Sequence, residues 1–273
     1  MKKGLVALLI FVVAVLLWEI TLRLGLVSRA IVPYPLEVLL AIPSGILPQA
    51  TMSTFYGTDG VFHSYFPHVL DSLIGDFYVT LRRTILAFVI GTTTGIALGF
   101  VVFHAKAAKE SGEFIVDFLR SIPATALVPL FLIFMGVGEA SKVGVGAFSC
   151  GLVIARATIQ GLQTRNAVRQ QLADDLHLTG LRRIFYFEIP EIEKQLYVGI
   201  RAGVSLALIL VVVSEMFIGS SSGVGKAIQD LYYTDQKPQL YVALIGSGVI
   251  GYALNRLVGN FEKRRTHDIL ERK

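Results

Sequence analysis

The sequence predicts an all-α membrane protein with about six transmembrane helices, and two observations support this prediction. Hydrophobic residues make up 53% of the 273 residues and charged residues only 16%, whereas a soluble domain carries about 25% charged residues. Six apolar stretches come close to the ~20 residues that a helix needs to cross a bilayer. They are residues 4–27, 79–103, 114–135, 143–162, 197–219 and 239–261.

The first stretch follows two lysines, so a cleaved secretory signal is the alternative to a retained span. We expect a retained span, because the apolar character continues past Trp18 and no small-residue cleavage site follows promptly. Residues 28–78 then form the longest segment between spans. We expect short helices and turns there, on the outer face of the membrane. His63 and His68 lack the spacing of a metal site.

Lysine and arginine residues in the short loops predict the orientation of the chain, with both termini cytoplasmic. The net charge of +5 follows from these loops and requires no nucleic-acid partner. Arg82 and Arg83 lie near the outer end of the second span, against this trend, so we expect them to snorkel or to find partners. The inner basic residues are Lys2, Lys3, Lys106, Lys109, Arg165, Arg169, Arg182, Arg183, Lys194, Lys263, Arg264, Arg265, Arg272 and Lys273, and the outer ones are mainly Arg29, Lys142, Lys226 and Lys237.

Glycines mark one face of the second span. Gly91, Gly95 and Gly99 are four residues apart, so they lie on the same side of the helix and permit another helix to approach closely. Packing within the subunit is favoured over a dimer contact. In either case this face is expected to meet protein rather than lipid.

The third span contains Pro123 and Pro129, which remove backbone donors and are expected to kink or break the helix. In a membrane, freed carbonyls are tolerated where protein or a water-lined cavity satisfies them. Arg120 and Pro123 are therefore candidate residues of a transport pathway or gate. A purely structural kink is the equal alternative.

The fifth span contains Ser214 and Glu215 inside an apolar run, where a central acid costs roughly 2.5–3.5 kcal/mol. Such a side chain is expected to face a partner, a cavity or the membrane interface. Both residues are candidates for a pathway or gate, with structural pairing as the alternative. The single Cys150 excludes an intrachain disulfide and is expected to be a small packing residue.

A charged segment, residues 163–195, separates the fourth and fifth spans. Its apolar residues follow helical spacing, Gly180 marks a break between two short helices, and Pro190 predicts a helix end near Ile189. An amphipathic interfacial loop is one interpretation. A helical docking element for a soluble partner is the other.

Motifs that occur in a fixed order cover most of the chain from residue 31 onward. They are "VPYPLEV" after the first span, "TLRR" at 80–83, "RSIPATALVPLF" at 120–131, "GVGEASK" at 136–142, "GIR" at 199–201, "SEMF" at 214–217 and "SSGVG" at 221–225. By these motifs the chain resembles the permease subunits of binding-protein-dependent ABC importers, most closely the nitrate, sulfonate, taurine and bicarbonate group. The resemblance implies a type I ABC importer permease fold with a cytoplasmic coupling-helix loop.

In that family the cytoplasmic loop reads Glu-Ala-Ala, three residues, Gly, then twelve residues and Pro. Without gaps, these positions fall on Gln171, Leu172 and Ala173, on His177 for the Gly, and on Pro190. A rival register places Asp174 at the Glu and Gly180 at the Gly, but it needs three-residue indels on both sides. The resemblance implies that this segment docks in an ATP-binding subunit. The candidate ATPase-coupling residues are Gln171, Leu172, Ala173, Asp174, Asp175, Leu176, His177, Gly180 and Pro190.

Gln171 and His177 stand where the family motif has Glu and Gly, and this departure has two interpretations. The groove on the ATPase has changed together with the motif, or this chain is the less strongly coupled partner of a heterodimer. The resemblance further implies two ATP-binding subunits that carry ATP and Mg, an external solute-binding protein, and a second permease copy or a paralogue. This chain is expected to bind no cofactor, metal or nucleic acid, and it lacks the G-x-x-x-x-G-K-[ST] loop of nucleotide-binding proteins.

We expect the chain to lie in membrane lipid of a bacterial-type cytoplasmic (inner) membrane and to pass a small, anionic solute. The expected domains are 1–78, the first span with an external segment; 79–262, the permease core with the coupling loop 163–195; and 263–273, a cytoplasmic tail.

Two other classes of function are weighed against this one. "GSSSG" at 219–223 formally matches the G-x-S-x-G of hydrolases, centred on Ser221, but that motif requires a strand-to-helix elbow with a His and an acid nearby. A small-residue turn is strongly favoured there. Glu215 and the glycine face would also suit a passive channel or a structural membrane subunit, although a channel needs no docking helix for an ATPase.

Overall fold

Helices account for the regular secondary structure of the described residues, which are 2–28, 31–46, 73–105 and 108–271 of the computed structural model. The predicted all-α class is therefore confirmed. Residues 47–72, with His63 and His68, lie outside the described part. The helices are α1 (Lys2–Arg23), α2 (Pro35–Ile46), α3 (Leu73–His104), α4 (Lys109–Ser121), α5 (Val128–Met135), α6 (Glu139–Gln163), α7 (Ala167–Asp175), α8 (Gly180–Arg183), α9 (Ile189–Phe217), α10 (Val224–Tyr233) and α11 (Lys237–Glu271).

Four helices of the described part are long and apolar enough to cross a membrane: α3, α6, the continuous helix Gly180–Phe217, and α11 as far as Lys263. They correspond to the predicted second, fourth, fifth and sixth spans. A fifth span is added if α4 and the segment Ala124–Met135 together form one. The count of six stays a prediction, with the 22-residue α1 as the candidate for the first span.

The predicted third span is broken, with a 90° bend between Lys109–Ser121 and Ala124–Met135. Pro123 is the physical cause, because a proline disfavours helical backbone in the residue before it. Ile122 is accordingly extended, with φ −68° and ψ 128°. A short 3₁₀ turn, Ala124–Leu127, then leads into α5, whose first turn accommodates Pro129.

The predicted helix end near Ile189 is wrong. The chain stays helical from Gly180 to Phe217, and Pro190 lies in the first turn of α9. A π-helical turn, Ile184–Glu188, precedes it, and the Ile189 N–H donates to the carbonyl of Ile184. This wider turn relaxes the hydrogen-bond pattern at the point where the proline ring would otherwise clash with the preceding turn.

The chain forms two compact units, and the second consists of the described residues of Thr80–Ser220 and Val249–Lys273. Its core lies where α6 meets α3 and α9. On α3, a Cβ added to Gly95 would lie 2.4 Å from the carbonyl oxygen of Gly151 in α6. On α9, a Cβ added to Gly203 would lie 2.9 Å from the Sγ of Cys150, which is fully buried. Glycines thus bring both helices close to α6.

The first unit consists of the described residues of Met1–Val79 and Ser221–Gly248. The rings of Trp18 and Tyr241 stack with their centroids 5.9 Å apart. The backbone N–H of Gly223 donates to the Asp76 carboxylate at 2.6 Å, just before α10 begins. Gly223 has φ 121°, a backbone conformation that favours glycine.

Candidate functional site

The charged segment folds into a short helix that ends in a tight reversal. Asn166 caps the start of α7 by accepting from the N–H of Val168 at 2.8 Å. At the other end, the N–H of Leu178 donates to the carbonyl of Ala173 at 3.0 Å. His177 adopts left-handed backbone with φ 50°, the conformation that glycine commonly supplies at a helix C-terminus. The residue that the gapless register aligns with the family glycine, His177, therefore lies in the reversal just after α7.

One face of α7 is apolar and exposed. Val168, Leu172 and Leu176 are four residues apart, so they form a single stripe, with side chains 72%, 50% and 59% exposed. Ala173, on another side of the helix, is fully buried. We call these three residues the α7 stripe. Gln171, Asp174, Asp175 and His177 are also exposed, on the same helix and the turn after it.

An ion cluster holds the loop to the ends of the long helices. Glu188, at the end of the π turn, is 1% exposed and accepts from Arg165, which follows α6. Arg183 lies 3.5 Å from the same carboxylate and also pairs with Asp174 of α7. His104, the last residue of α3, places Nε2 3.3 Å from it. We call these five residues the loop ion cluster.

Sequence reasoning missed the part that His104, Arg165 and Glu188 play in this cluster, because it treated the charges of the loop mainly as a means of staying in water. The signal was present at Glu188, an acid within the otherwise apolar run "IFYFEIP". A charge in such a run requires either exposure or a partner. Its partners, however, come from helices that the sequence does not show to be adjacent.

A second ion cluster lies at the opposite end of the same helices, where α3 and α6 begin and α9 ends. Its members are Thr80, Arg83, Glu139, Lys142, Glu215 and Ser220, which we call the distal ion cluster. The Arg83 Nη1 lies 2.8 Å from Glu215 Oε1, and its Nε donates to Glu139 at 2.9 Å. The Thr80 hydroxyl donates to the Glu215 carboxylate at 2.9 Å. Lys142 donates to the Ser220 hydroxyl at 3.1 Å.

Burial distinguishes the members of the distal ion cluster. The side chains of Arg83 and Glu215 are 2% and 0% exposed, whereas that of Glu139 is 52% exposed. Arg82 also reaches Glu139, at 3.2 Å. Both arginines of "TLRR" therefore have acidic partners at this end of the second span.

The structure separates the four candidate pathway residues. Glu215 belongs to the distal ion cluster, and the neighbouring Ser214 hydroxyl donates to the carbonyl of Val211 on its own helix, at 2.7 Å. Arg120 lies at the end of α4, where it pairs with Asp117 at 3.5 Å. Pro123 lies at the 90° break that follows. Arg120 and Pro123 thus mark the broken span, whereas Glu215 belongs to the distal ion cluster.

The three glycines of the second span face α6 within the subunit. Besides Gly95, already described, Gly91 lies against Ala147 and Cys150, and Gly99 lies against Thr158. An added Cβ at either position would come within 2.6 Å of an atom of α6.

Sequence comparison assigns the family. A family model described as a binding-protein-dependent transport system inner membrane component matches residues 87–267, well over half of the chain. The chain belongs to this family. The permease is 31% identical over 199 residues to an ABC transporter permease protein of Brucella melitensis, a match that covers 71% of this chain and 78% of the relative.

Two further relatives carry names that mention a solute. A Bacillus subtilis permease protein named for aliphatic sulfonates transport is 25% identical to the permease over 262 residues, 96% of this chain and 86% of that one. A nitrate import permease protein of Synechocystis is 27% identical over 185 residues, 68% of this chain and 67% of that one.

Solved structures agree with the fold. The permease matches the crystal structure of an amino acid ABC transporter with a TM-score of 0.57 and 20% identity, over 70% of this chain and 93% of that one. The predicted type I importer permease fold is confirmed by such neighbours. The permease is a membrane-embedded transport subunit rather than an enzyme, and its family works with ATP-binding subunits and a solute-binding protein.

Proposed function

We propose that this permease lines the pathway of a small anionic solute across a bacterial-type cytoplasmic membrane, and that residues 163–195 couple it to a cytoplasmic ATPase. The α7 stripe carries the coupling proposal. An exposed apolar helix face next to charged residues suits a groove on a soluble partner. The candidate coupling residues from Gln171 to His177 lie on this helix and the turn that follows it.

The loop ion cluster supports the mechanical side of the proposal. A docking helix transmits force if it is tied to the helices that must move. Asp174 of α7 is joined through Arg183 to Glu188, and Glu188 is joined to Arg165 beyond α6 and to His104 of α3. Movement of α7 by a partner would therefore act on the ends of α3, α6 and α9 together.

The left-handed backbone of His177 supports the gapless register over its rival. In the gapless register the family glycine coincides with His177, which lies in the turn after α7 and whose backbone N–H donates to the carbonyl of Asp174 at 2.9 Å. Gly180 is left-handed too, with φ 56°, but it is the first residue of α8 and lies five residues beyond Asp175, the last residue of α7. The register that aligns Gln171, Leu172 and Ala173 with Glu-Ala-Ala therefore agrees with the local geometry.

The assembly that we infer contains two ATP-binding subunits carrying ATP and Mg, an external solute-binding protein, and a second permease copy or a paralogue. This chain binds no nucleotide in this scheme. Both termini lie in the cytoplasm in this proposal, which the distribution of lysine and arginine supports. The relatives named for nitrate and aliphatic sulfonates support a small anionic solute.

Co-purification with the cognate ATPase tests the coupling proposal. We expect the double variant Leu172→Asp/Leu176→Asp to lose the ATPase and transport, because two charges replace apolar contacts. Leu181→Asp is the matched control, since Leu181 is similarly exposed in the same loop but lies off α7. If the double variant keeps both the ATPase and transport, the docking assignment is wrong.

Uptake into liposomes tests the solute. The permease, its ATPase and the cognate binding protein are reconstituted with ATP inside, and nitrate, aliphatic sulfonates and bicarbonate are each offered outside. We expect one of these anions to be taken up. Uptake of an uncharged or cationic solute alone would contradict the anionic class without affecting the coupling test.

A further inference from the structure

The second unit contains a basic cleft that lies outside the two ion clusters and the candidate coupling residues. It has a volume of about 270 Å³, and it lies between the first half of α9 and the second half of α11. We call it the α9–α11 cleft. Its polar and glycine lining is Arg201, Asn255, Arg256, Gly259, Asn260 and Lys263.

Glycine and hydrogen bonds shape this cleft. A Cβ on Gly259 would lie 2.9 Å from an Arg201 guanidinium nitrogen, so the missing side chain lets Arg201 of α9 lie across α11. Glu262 pairs with Arg201 and holds the guanidinium at one edge. The Asn255 amide donates to the Ser205 hydroxyl at 2.7 Å and joins the two helices beneath the cleft.

The charges of the cleft favour an oxyanion. Three cations, Arg201, Arg256 and Lys263, line it, and one acid, Glu262, pairs with one of them. Arg256 and Lys263 are exposed, so their charges are available to a ligand. A guanidinium offers parallel N–H donors that match two oxygens of a phosphate.

The surroundings of the cleft point to a lipid. The apolar stretch 239–261 of α11 ends at Phe261, and the charged residues Glu262 and Lys263 follow it directly, so the cleft lies where a span meets the interface. Tyr252, Leu257 and Phe261 are exposed on the same stretch of α11, as expected of side chains that face acyl chains and headgroups. Basic pockets between membrane helices bind anionic headgroups. We propose that the α9–α11 cleft binds the phosphate of an anionic phospholipid headgroup.

Lipid retention by the purified full-length permease tests this proposal. The permease is exchanged into detergent containing equal phosphatidylglycerol and phosphatidylcholine, and bound lipid is measured by native mass spectrometry. We expect one phosphatidylglycerol per chain in preference to phosphatidylcholine. In Arg256→Gln/Lys263→Gln, retention should fall about 30-fold, since each cation near an anionic headgroup contributes about 1 kcal/mol.

Two controls separate the cleft from general surface charge. Arg182→Gln/Lys194→Gln removes the same charge from exposed positions outside the cleft and should leave retention unchanged. Gly259→Ala keeps every charge but displaces Arg201, so it should weaken retention and provides a second variant if the double variant folds poorly. Equal losses in the cleft and control variants would overturn the proposal.

Inorganic phosphate distinguishes the two sources of the ligand. If millimolar phosphate displaces phosphatidylglycerol completely, the site recognises a soluble anion and the lipid assignment is wrong. We expect partial competition at most, because phosphate cannot replace the contacts of the acyl chains. Neither outcome depends on the ATPase.

Discussion

Glu215→Gln removes one negative charge from the distal ion cluster while keeping the shape of the side chain. Arg83 then loses its ion pair with residue 215 but keeps the one with Glu139, and the Thr80 hydroxyl still faces an oxygen acceptor. Arg83→Gln is the complementary change, because it removes the cation that both acids share. Glu139→Gln is the matched control, as it makes the same chemical change at an exposed member of the cluster.

Burial sets the expected magnitudes. Breaking a buried ion pair by removing one partner costs about 3–5 kcal/mol, since a charge is left buried without compensation. Glu215→Gln should lie near 3 kcal/mol on that scale, because Glu139 still neutralises Arg83. Arg83→Gln should lie near 5 kcal/mol, because Glu215 loses its ion pair while fully buried. Glu139→Gln should cost less than Glu215→Gln, because the Glu139 carboxylate is half exposed and Glu215 still neutralises Arg83.

Thermal unfolding in detergent measures these differences. For a chain of this size, 1 kcal/mol shifts the midpoint by roughly 2–4 °C, so Glu215→Gln should melt about 6–12 °C below the wild type. All variants are heated at one rate, because unfolding of a membrane protein is commonly irreversible and its midpoint depends on that rate. Arg83→Met/Glu215→Met should recover part of the loss, since it removes both buried charges.

The order of the midpoints decides the outcome. If Glu139→Gln melts as low as Glu215→Gln, burial does not control the energetics of the cluster and the reasoning fails. Transport per folded molecule, measured below the lowest midpoint, then separates the two roles weighed for Glu215. Unchanged transport leaves Glu215 as a structural pair, and lost transport with a folded protein makes it part of the pathway or gate.

Two smaller changes test helix packing and the loop. Gly95→Ala should cost about 1–3 kcal/mol by overpacking, because the added Cβ would lie 2.4 Å from the carbonyl oxygen of Gly151. Gly248→Ala is the control and should not destabilise the protein, because nothing lies within 4 Å of the added Cβ. Equal melting midpoints for the two variants would contradict this packing. His177→Gly should keep ATPase binding because glycine accepts φ 50° readily, whereas His177→Val should weaken it, since a β-branched residue resists that conformation. Pull-down with the ATPase measures both variants of His177, and stronger binding by the valine variant would refute the role of the turn.

Much of the fold could be predicted from local sequence. A helix that crosses a bilayer must be apolar over about 20 residues and must satisfy its own backbone, so the runs that became α3, α6, α9 and α11 were visible without a structure. The break at Pro123 could likewise be predicted, because the effect of proline on the preceding residue is local. At Pro190 the same local reasoning failed, since a π turn lets the helix continue.

The two ion clusters show where local reasoning stops. Glu215 was conspicuous as an acid in an apolar run, but Arg83 lies 132 residues away in the chain. Glu188 and Arg165 are closer in sequence, yet they meet because α6 ends and α9 begins on the same side of the unit. Pairings of this kind depend on which helices pack together and in what register, and local sequence patterns show neither.

The sequence by itself determined that this protein is a helical membrane permease and where its polar loop lies, because hydrophobic length and ordered motifs are properties of the chain alone. Tertiary structure decided what the buried charges do. Helix packing pairs Arg83 with Glu215 and Glu139 and joins the loop to the long helices through Glu188. It also places Arg201 against Gly259, which forms a basic cleft. A buried charge is stable only beside a partner, and the partner's position is a property of the packed helices.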